Sequence, residues 1–141
     1  MQVREIMSRD VVKINPEESV EVAARALTHY NIGFLPVCSD SGKLCGLVTD
    51  RDLVTRCIAG NLSPAQTKVR EVMTGRILSV TPDMDVSVAA HLMGRQQVRR
   101  LPVVENDKLC GVVSLGDLAA SEENTMDAAD ALWDITENLR K

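Results

Sequence analysis

Most of this chain is written twice. Val3-Arg4-Glu5-Ile6-Met7-Ser8 returns as Val69-Arg70-Glu71-Val72-Met73-Thr74, and Leu35-Pro36-Val37 returns as Leu101-Pro102-Val103. Lys43-Leu44-Cys45-Gly46 returns as Lys108-Leu109-Cys110-Gly111, and Leu47-Val48-Thr49-Asp50-Arg51-Asp52-Leu53 as Val112-Val113-Ser114-Leu115-Gly116-Asp117-Leu118. The offset of roughly 65 residues is longer than common solenoid periods. A unit of about 60 residues buries too little surface to be secure alone, so the copies are expected to share one body. Two related copies also create two related clefts, which favours binding over a single catalytic centre.

Composition narrows the class. The 141 residues are 45% apolar, ordinary for a soluble globular protein, but only 2% aromatic, so the core must be built from Val, Leu, Ile, Ala and Met. A formal charge of -4 and one residue each of Phe, Trp and Tyr argue against a nucleic-acid surface, which needs basic grooves and stacking platforms. No apolar run is long enough to span a bilayer, and the start shows no charged-then-apolar signal pattern. No membrane partner and a cytoplasmic location are expected. Among the four cysteines, Cys45 and Cys110 occupy equivalent apolar positions and read as buried small hydrophobes, while Cys38 and Cys45 flank a turn that can bring them face to face across two strands. Buried free thiols are the expectation; no CxxC or Cys/His spacing of metal type occurs.

Each copy reads as strand, helix, strand, strand, helix, an α/β unit. Val11-Val12-Lys13-Ile14 is a β-branched run stopped by Asn15-Pro16, and Ser19 then offers a cap for a helix carrying Val20, Ala23, Ala24, Leu27 and Tyr30 on one face. Phe34 to Cys38 and Leu44 to Thr49 form a hairpin around Asp40-Ser41-Gly42-Lys43, and a second helix starts near Asp50. The second copy repeats this with Ile77 to Val80, a helix capped by Asp85, and a hairpin turning at Glu105 to Asp107. The expected organisation is a first repeat over 1–60, a connection over 61–68, a second repeat over 69–121 and a C-terminal amphipathic helix over 122–141. That last helix places Ala128, Ala131, Leu132, Ile135 and Leu139 along one stripe. It either lies across its own domain or forms a dimer or partner contact with Trp133 at its edge.

Thr49-x-x-Asp52 and Ser114-x-x-Asp117 both stand where an apolar strand turns into a helix. One reading is a capping box, in which the hydroxyl satisfies an orphan amide and the acid reaches back. The other is a nucleotide site: hydroxyl and helix N-terminus for phosphate, carboxylate for two sugar hydroxyls. Duplication at equivalent places, each after a Gly-anchored strand, favours the second.

These residues resemble a tandem pair of cystathionine β-synthase (CBS) domains, the arrangement called a Bateman module. The resemblance rests on Glu5-Ile6-Met7-Ser8, Ile32-Gly33-Phe34-Leu35-Pro36-Val37 and Gly46 through Leu53, with their second copies, and it covers the chain to about residue 120. It implies two β-α-β-β-α repeats packed about a pseudo-two-fold axis. Between them, clefts would take an adenine-containing regulatory ligand such as AMP, ADP, ATP, NAD or S-adenosylmethionine. By that resemblance Asp52 and Asp117 would hold ribose, Thr49 and Ser114 would lie near phosphate, and residues around Val11 and Ile77 would touch adenine. Arg99-Arg100 stand where related modules place phosphate-binding basic residues. The first copy has Gly33-Phe34 there and compensates only with Arg51, where the second has Gly116, so the two sites are expected to differ.

An enzyme is not expected, because His29 and His91 fall on helices without a Ser, Cys or carboxylate partner at suggestive spacing. No metal and no required cofactor are expected either. The reading is a regulatory nucleotide-binding protein, a homodimer by analogy with such families, whose output acts in trans on an unidentified target. The rival is a CBS-pair scaffold that binds no ligand, for which Thr49 and Asp52 act only as caps.

Overall fold

The three-dimensional structure, a computed structural model, describes residues 1–121 and 124–137. The described residues form two compact units: Met1–Val11 with Leu78–Asn106 and 110 onwards in unit 1, and Val12–Ile77 with Asp107–Leu109 in unit 2. These units cut across the sequence repeats, and the reason lies in the short leads Val3–Ser8 and Val69–Thr74.

In unit 2, helix α1 spans Val20–Tyr30, and Ser19 caps it by accepting from the Val22 N–H at 3.2 Å. Strands β1 (Phe34–Cys38) and β2 (Leu44–Thr49) form the expected antiparallel hairpin. Its turn is closed at Gly42, whose φ of 89° lies in the left-handed region that glycine adopts without strain. α2 (Asp50–Asp52) runs on into a π-helical turn, Leu53–Ile58, in which Ala59 N–H donates to Val54 O at 2.9 Å. The lead of the second repeat then folds back as α3 (Val69–Val72).

Unit 1 repeats the design. Helix α4 (Val86–Gln96) is capped by Asp85, which accepts from Ser87 N–H at 2.9 Å. Strands β3 (Arg100–Glu105) and β4 (Lys108–Ser114) meet at a two-residue turn, Asn106-Asp107, with φ of 54° and 65°. That pair of positive φ values is the twist-compatible hairpin turn that Asn and Asp tolerate. α5 (Leu115–Ala119) follows, and α6 (Thr125–Thr136) packs against α4 and α5, so the inner face of the C-terminal helix lies on its own unit. Leu139, expected on the same stripe, lies outside the described residues.

The expected first strand of each repeat is a correction. Val11 to Ile14 and Ile77 to Val80 are irregular apart from one parallel bridge each, Ile14 to Val37 and Val80 to Val103. Ile14 donates its N–H to Pro36 O and accepts at its carbonyl from Cys38 N–H, while Val80 pairs likewise with Pro102 and Val104. The next rungs would need N–H groups from Pro36 and Pro16, or from Pro102 and Pro82, and proline has none. Each ladder therefore stops after a single residue on both sides.

The two leads complete the units crosswise. In unit 1, Val3 and Arg4 N–H donate to Met84 and Pro82 carbonyls, and Ser8 exchanges two hydrogen bonds with Val112 (2.9 and 3.0 Å). In unit 2, Val69 and Arg70 N–H donate to Glu18 and Pro16 carbonyls, and Thr74 pairs with Leu47 in the same way (2.8 and 3.0 Å). Val3 and Val69 are both fully buried, each in the core of the unit it joins. Burying a valine side chain contributes about 1.5–3 kcal/mol, so each lead is part of a core rather than a loose arm.

All three aromatic side chains lie outside the cores, which are aliphatic as the composition requires. The four cysteines are free thiols; Cys45 and Cys110, expected to be buried, are half-buried at the core edges, while Cys38 and Cys57 are buried. Burial pushes the Cys38 and Cys110 thiols above their usual range, with nearby Glu105 adding to the effect at Cys110. No helix among the described residues is long and apolar enough to cross a membrane.

The crossing of the leads generates a test at two glycines. A Cβ on Gly46 would sit 2.6 Å from Thr74 O, and one on Gly111 would sit 2.8 Å from Ser8 O. Gly46→Ala and Gly111→Ala should each lower unfolding free energy in urea by about 1–3 kcal/mol. Gly75→Ala, with nothing within 4 Å of the new methyl, should stay within about 0.5 kcal/mol. Equal behaviour of the three variants would contradict the docked leads.

Candidate functional site

Both duplicated motifs close as capping boxes. Thr49 Oγ1 accepts from Asp52 N–H at 3.1 Å, and Asp52 Oδ2 accepts from Thr49 N–H at 3.0 Å. Ser114 Oγ accepts from Asp117 N–H at 3.1 Å, and Asp117 Oδ2 accepts from Ser114 N–H at 2.8 Å. Each hydroxyl keeps its own hydrogen to donate, and each acid keeps a second oxygen. Capping and ligand binding are therefore compatible in principle; what surrounds each box decides.

Around the first box the spare capacity is taken internally. Arg56, one helical turn after Asp52, places Nε 3.8 Å from Asp52 Oδ1. The same guanidinium donates from Nη1 to the carbonyls of Val72 and Met73, both at 3.0 Å, tying the motif acid to the end of α3. Asp52 is consequently only 9% exposed. Asp50 adds a second carboxylate at this corner: its Oδ1 accepts from Arg51 N–H at 2.8 Å, and its carboxylate lies over Gly33. Arg51 itself is exposed.

The second box is surrounded by the opposite chemistry. Leu115 stands at Asp50's position and offers Gly116, the counterpart of Arg51, no carboxylate. Ser121 stands at Arg56's position, so no guanidinium is aimed at Asp117 from there. Leu115 N–H donates to Arg99 O at 2.8 Å, which fixes the start of β3 against the start of α5. Arg99, Arg100, Ser114, Leu115 and Gly116 then line one cleft of about 350 Å³, with Leu132 of α6 as a further wall. That volume is at the lower end of small-molecule pockets, about 300–1,000 Å³.

Of the residues singled out in the sequence, the structure brings Arg99, Arg100 and Ser114 to this cleft, with Asp117 boxed to Ser114. Thr49, Asp52 and Arg51 belong to unit 2; Val11 and Ile77 are half-buried, in units 1 and 2 respectively. The helix-terminus argument is weaker than the sequence implied, because α5 has five residues and α2 three. Positive charge here comes from arginine side chains. Sequence reasoning missed Asp50 and Arg56, whose signal was their replacement by Leu115 and Ser121 in the second copy. It also missed Leu132 as a cleft residue, which no repeat comparison could flag. His29 and His91 lie exposed on α1 and α4. Among the described residues no group of three or more His, Cys, Asp and Glu side chains is placed to hold a metal ion.

The CBS domain model matches the chain twice, over residues 3–58 and 69–123. The CBS domain-containing protein YhcV of Bacillus subtilis is 37% identical over 134 residues, covering 95% of this chain and 94% of its own length. Hypoxic response protein 1 of Mycobacterium tuberculosis is 33% identical over 116 residues, covering 82% of this chain and 81% of its own. A crystal structure of Hypoxic Response Protein I with two coordinated zinc ions matches with a TM-score of 0.79 at 32% identity, over 85% of this chain and 98% of that one. The CBS domain pair of protein MJ0100, solved in complex with 5-methylthioadenosine and S-adenosyl-L-methionine, matches with a TM-score of 0.73 at 26% identity, over 85% of this chain and 94% of that one.

The unequal surroundings of the boxes make a stability prediction. Removing either acid loses a charge-assisted hydrogen bond to the backbone, but only Asp52→Ala also breaks an ion pair, the one with Arg56. The half-exposed pair with Arg56 is worth about 0.5–1 kcal/mol, so Asp52→Ala should destabilise by that much more than Asp117→Ala. Urea unfolding of both variants measures it, and equal losses would contradict the Arg56 tie.

Proposed function

Since this chain belongs to the CBS-domain family and carries the domain twice, we propose that it is a regulatory adenine-nucleotide-binding protein whose phosphate-bearing ligand sits in the Arg99–Arg100 cleft of unit 1. The observation that carries the reading is the contrast between the copies. Two arginines, a hydroxyl and a glycine share one cleft in unit 1, whereas the corresponding place in unit 2 is held by the Asp50 carboxylate. Charge-assisted contacts to phosphate are among the strong ones, and arginine makes them in bidentate form. In the cleft Ser114 Oγ–H is a further phosphate donor, and Asp117, boxed to Ser114 beside the cleft, offers its second oxygen to ribose hydroxyls. A related CBS pair that holds 5-methylthioadenosine and S-adenosyl-L-methionine supports an adenosine-type ligand.

In this reading the first repeat binds no nucleotide of its own. Asp52 already spends its spare oxygen on Arg56, and at the unit 2 counterpart of the arginine cleft the Asp50 carboxylate repels phosphate. Thr49 and Asp52 thus keep the capping role that both readings allowed, and the exposed Arg51 takes no phosphate in this reading. AMP is the simplest probe, with ADP, ATP, NAD and S-adenosylmethionine completing a thermal-shift panel. A ligand at a hundred times its Kd stabilises by about 2.7 kcal/mol, visible for a chain of this size.

Phosphate recognition is tested by comparing AMP with adenosine. Replacing both arginines with Gln should lower the AMP-to-adenosine affinity ratio by about tenfold or more, with the loss shrinking as salt rises. Asp117→Ala should weaken both ligands together, by roughly 1.5–3 kcal/mol. Calorimetry that finds no adenine compound bound at millimolar concentration would leave the ligand-free scaffold as the better account.

Self-association belongs to the same proposal. Unit 2 exposes Tyr30, Val54, Ile58 and Leu62 by 44–61%, apolar surface that a second copy would cover. Light scattering across micromolar concentrations should give the mass of a dimer, and a strictly monomeric mass would remove this part.

A further inference from the structure

The Arg99–Arg100 cleft has one wall that neither repeat supplies, Leu132 of α6. We infer that docking of α6 and occupancy of this cleft are coupled, so that the C-terminal helix is the element through which bound ligand is read out. The inference rests on the nucleotide reading above and goes beyond it by naming the moving part.

Three observations point to the coupling. First, the buried seam of α6 on unit 1 is made of small side chains. The two residues it buries, Ala128 and Ala131, are small, and Ile135 is only half-buried. Burial stabilises in proportion to apolar area, and an alanine methyl offers little of it. A helix of 12 residues is marginal without tertiary packing, so its helicity and its docking depend on that seam.

Second, α6 crosses α4 closely at Gly94. A Cβ added to Gly94 of α4 would lie 2.8 Å from Asp134 Oδ2 and 3.1 Å from Asp134 Cβ. Next to this crossing Gln97 Nε2 donates to Asp134 O at 3.1 Å. The helix is therefore positioned by a contact that a single methyl disturbs, outside the residues that line the cleft.

Third, Leu132 is 45% exposed and lines the cleft together with the arginines. A ligand held by its phosphate at Arg99 and Arg100 meets Leu132 with its apolar portion only while α6 is docked. A contact made in one state and not in the other shifts the equilibrium toward the first. Linkage makes the effect reciprocal: undocking α6 weakens the ligand by the same factor by which the ligand favours docking, and partial loosening weakens it by less.

Hydrogen exchange of the α6 amides, with and without saturating AMP, reads the coupling directly in the full chain. AMP should slow exchange in α6 by about fivefold or more, the low end of typical coupling between sites. Gly94→Ala should weaken AMP, measured by calorimetry, by a similar factor. Leu132→Ala, a partly exposed position that leaves the folded unit intact, should still bind AMP but lose most of the slowing. If AMP binds the wild type while α6 exchange is unchanged and both variants bind as wild type does, the coupling is overturned and the nucleotide reading stands. If AMP fails to bind the wild type, the nucleotide reading falls and the coupling falls with it.

Discussion

A carbonyl oxygen laid against a glycine, twice, is the contact on which this architecture turns. Thr74 O over Gly46 and Ser8 O over Gly111 bring each lead so close to the strand beneath it that no side chain fits between them. The paired hydrogen bonds to Leu47 and Val112 then hold the leads in register, and Val69 and Val3 fill the cores below. A repeat cut out along its sequence boundary would keep its hairpin and helices but lose the valine that closes its core. Duplication is thus not two independent folds in a row. Each compact unit needs a piece encoded at the start of the other repeat.

On that shared frame the two capping boxes are almost superimposable in their hydrogen bonds and opposed in their electrostatics. The backbone geometry needs only a hydroxyl and an acid three residues later, and both copies supply them. Everything else was free to diverge. In the first copy Asp50 and Arg56 turn the strand-to-helix corner into a closed set of internal charges. In the second, Leu115 and Ser121 remove those charges, and Arg99 and Arg100 replace Gly33 and Phe34. One corner is self-satisfied and the other presents cations to a cleft. The proposed preference for a phosphate at the second corner rests on side chains that differ by only a few substitutions.

Local chemistry was the legible part of the sequence. Ser19 and Asp85 cap the helices they were expected to cap, and both hairpins run between the expected residues, because turn glycine, Asn-Asp and β-branched runs act over a few positions. What failed depended on partners distant in sequence. The runs ending at Ile14 and Val80 look like strands, yet their ladders are cut by prolines on the neighbouring strand as well as their own. The crossed leads left no local trace beyond two glycines. The Thr-x-x-Asp motif marked the right corners but over-weighted helix termini that are only a few residues long. Arg56 was readable in hindsight as an arginine four residues after a buried acid, with no counterpart in the second copy. Leu132 was not readable at all, since it enters the cleft from outside the repeat.

The central claim is that only the second corner is available to a nucleotide phosphate. The most direct measurement is the stoichiometry of AMP binding by titration calorimetry, with chain concentration fixed independently. The account predicts one AMP for each chain. Two AMP molecules for each chain would show that Asp50 and Arg56 do not close the first corner, and the account would be contradicted.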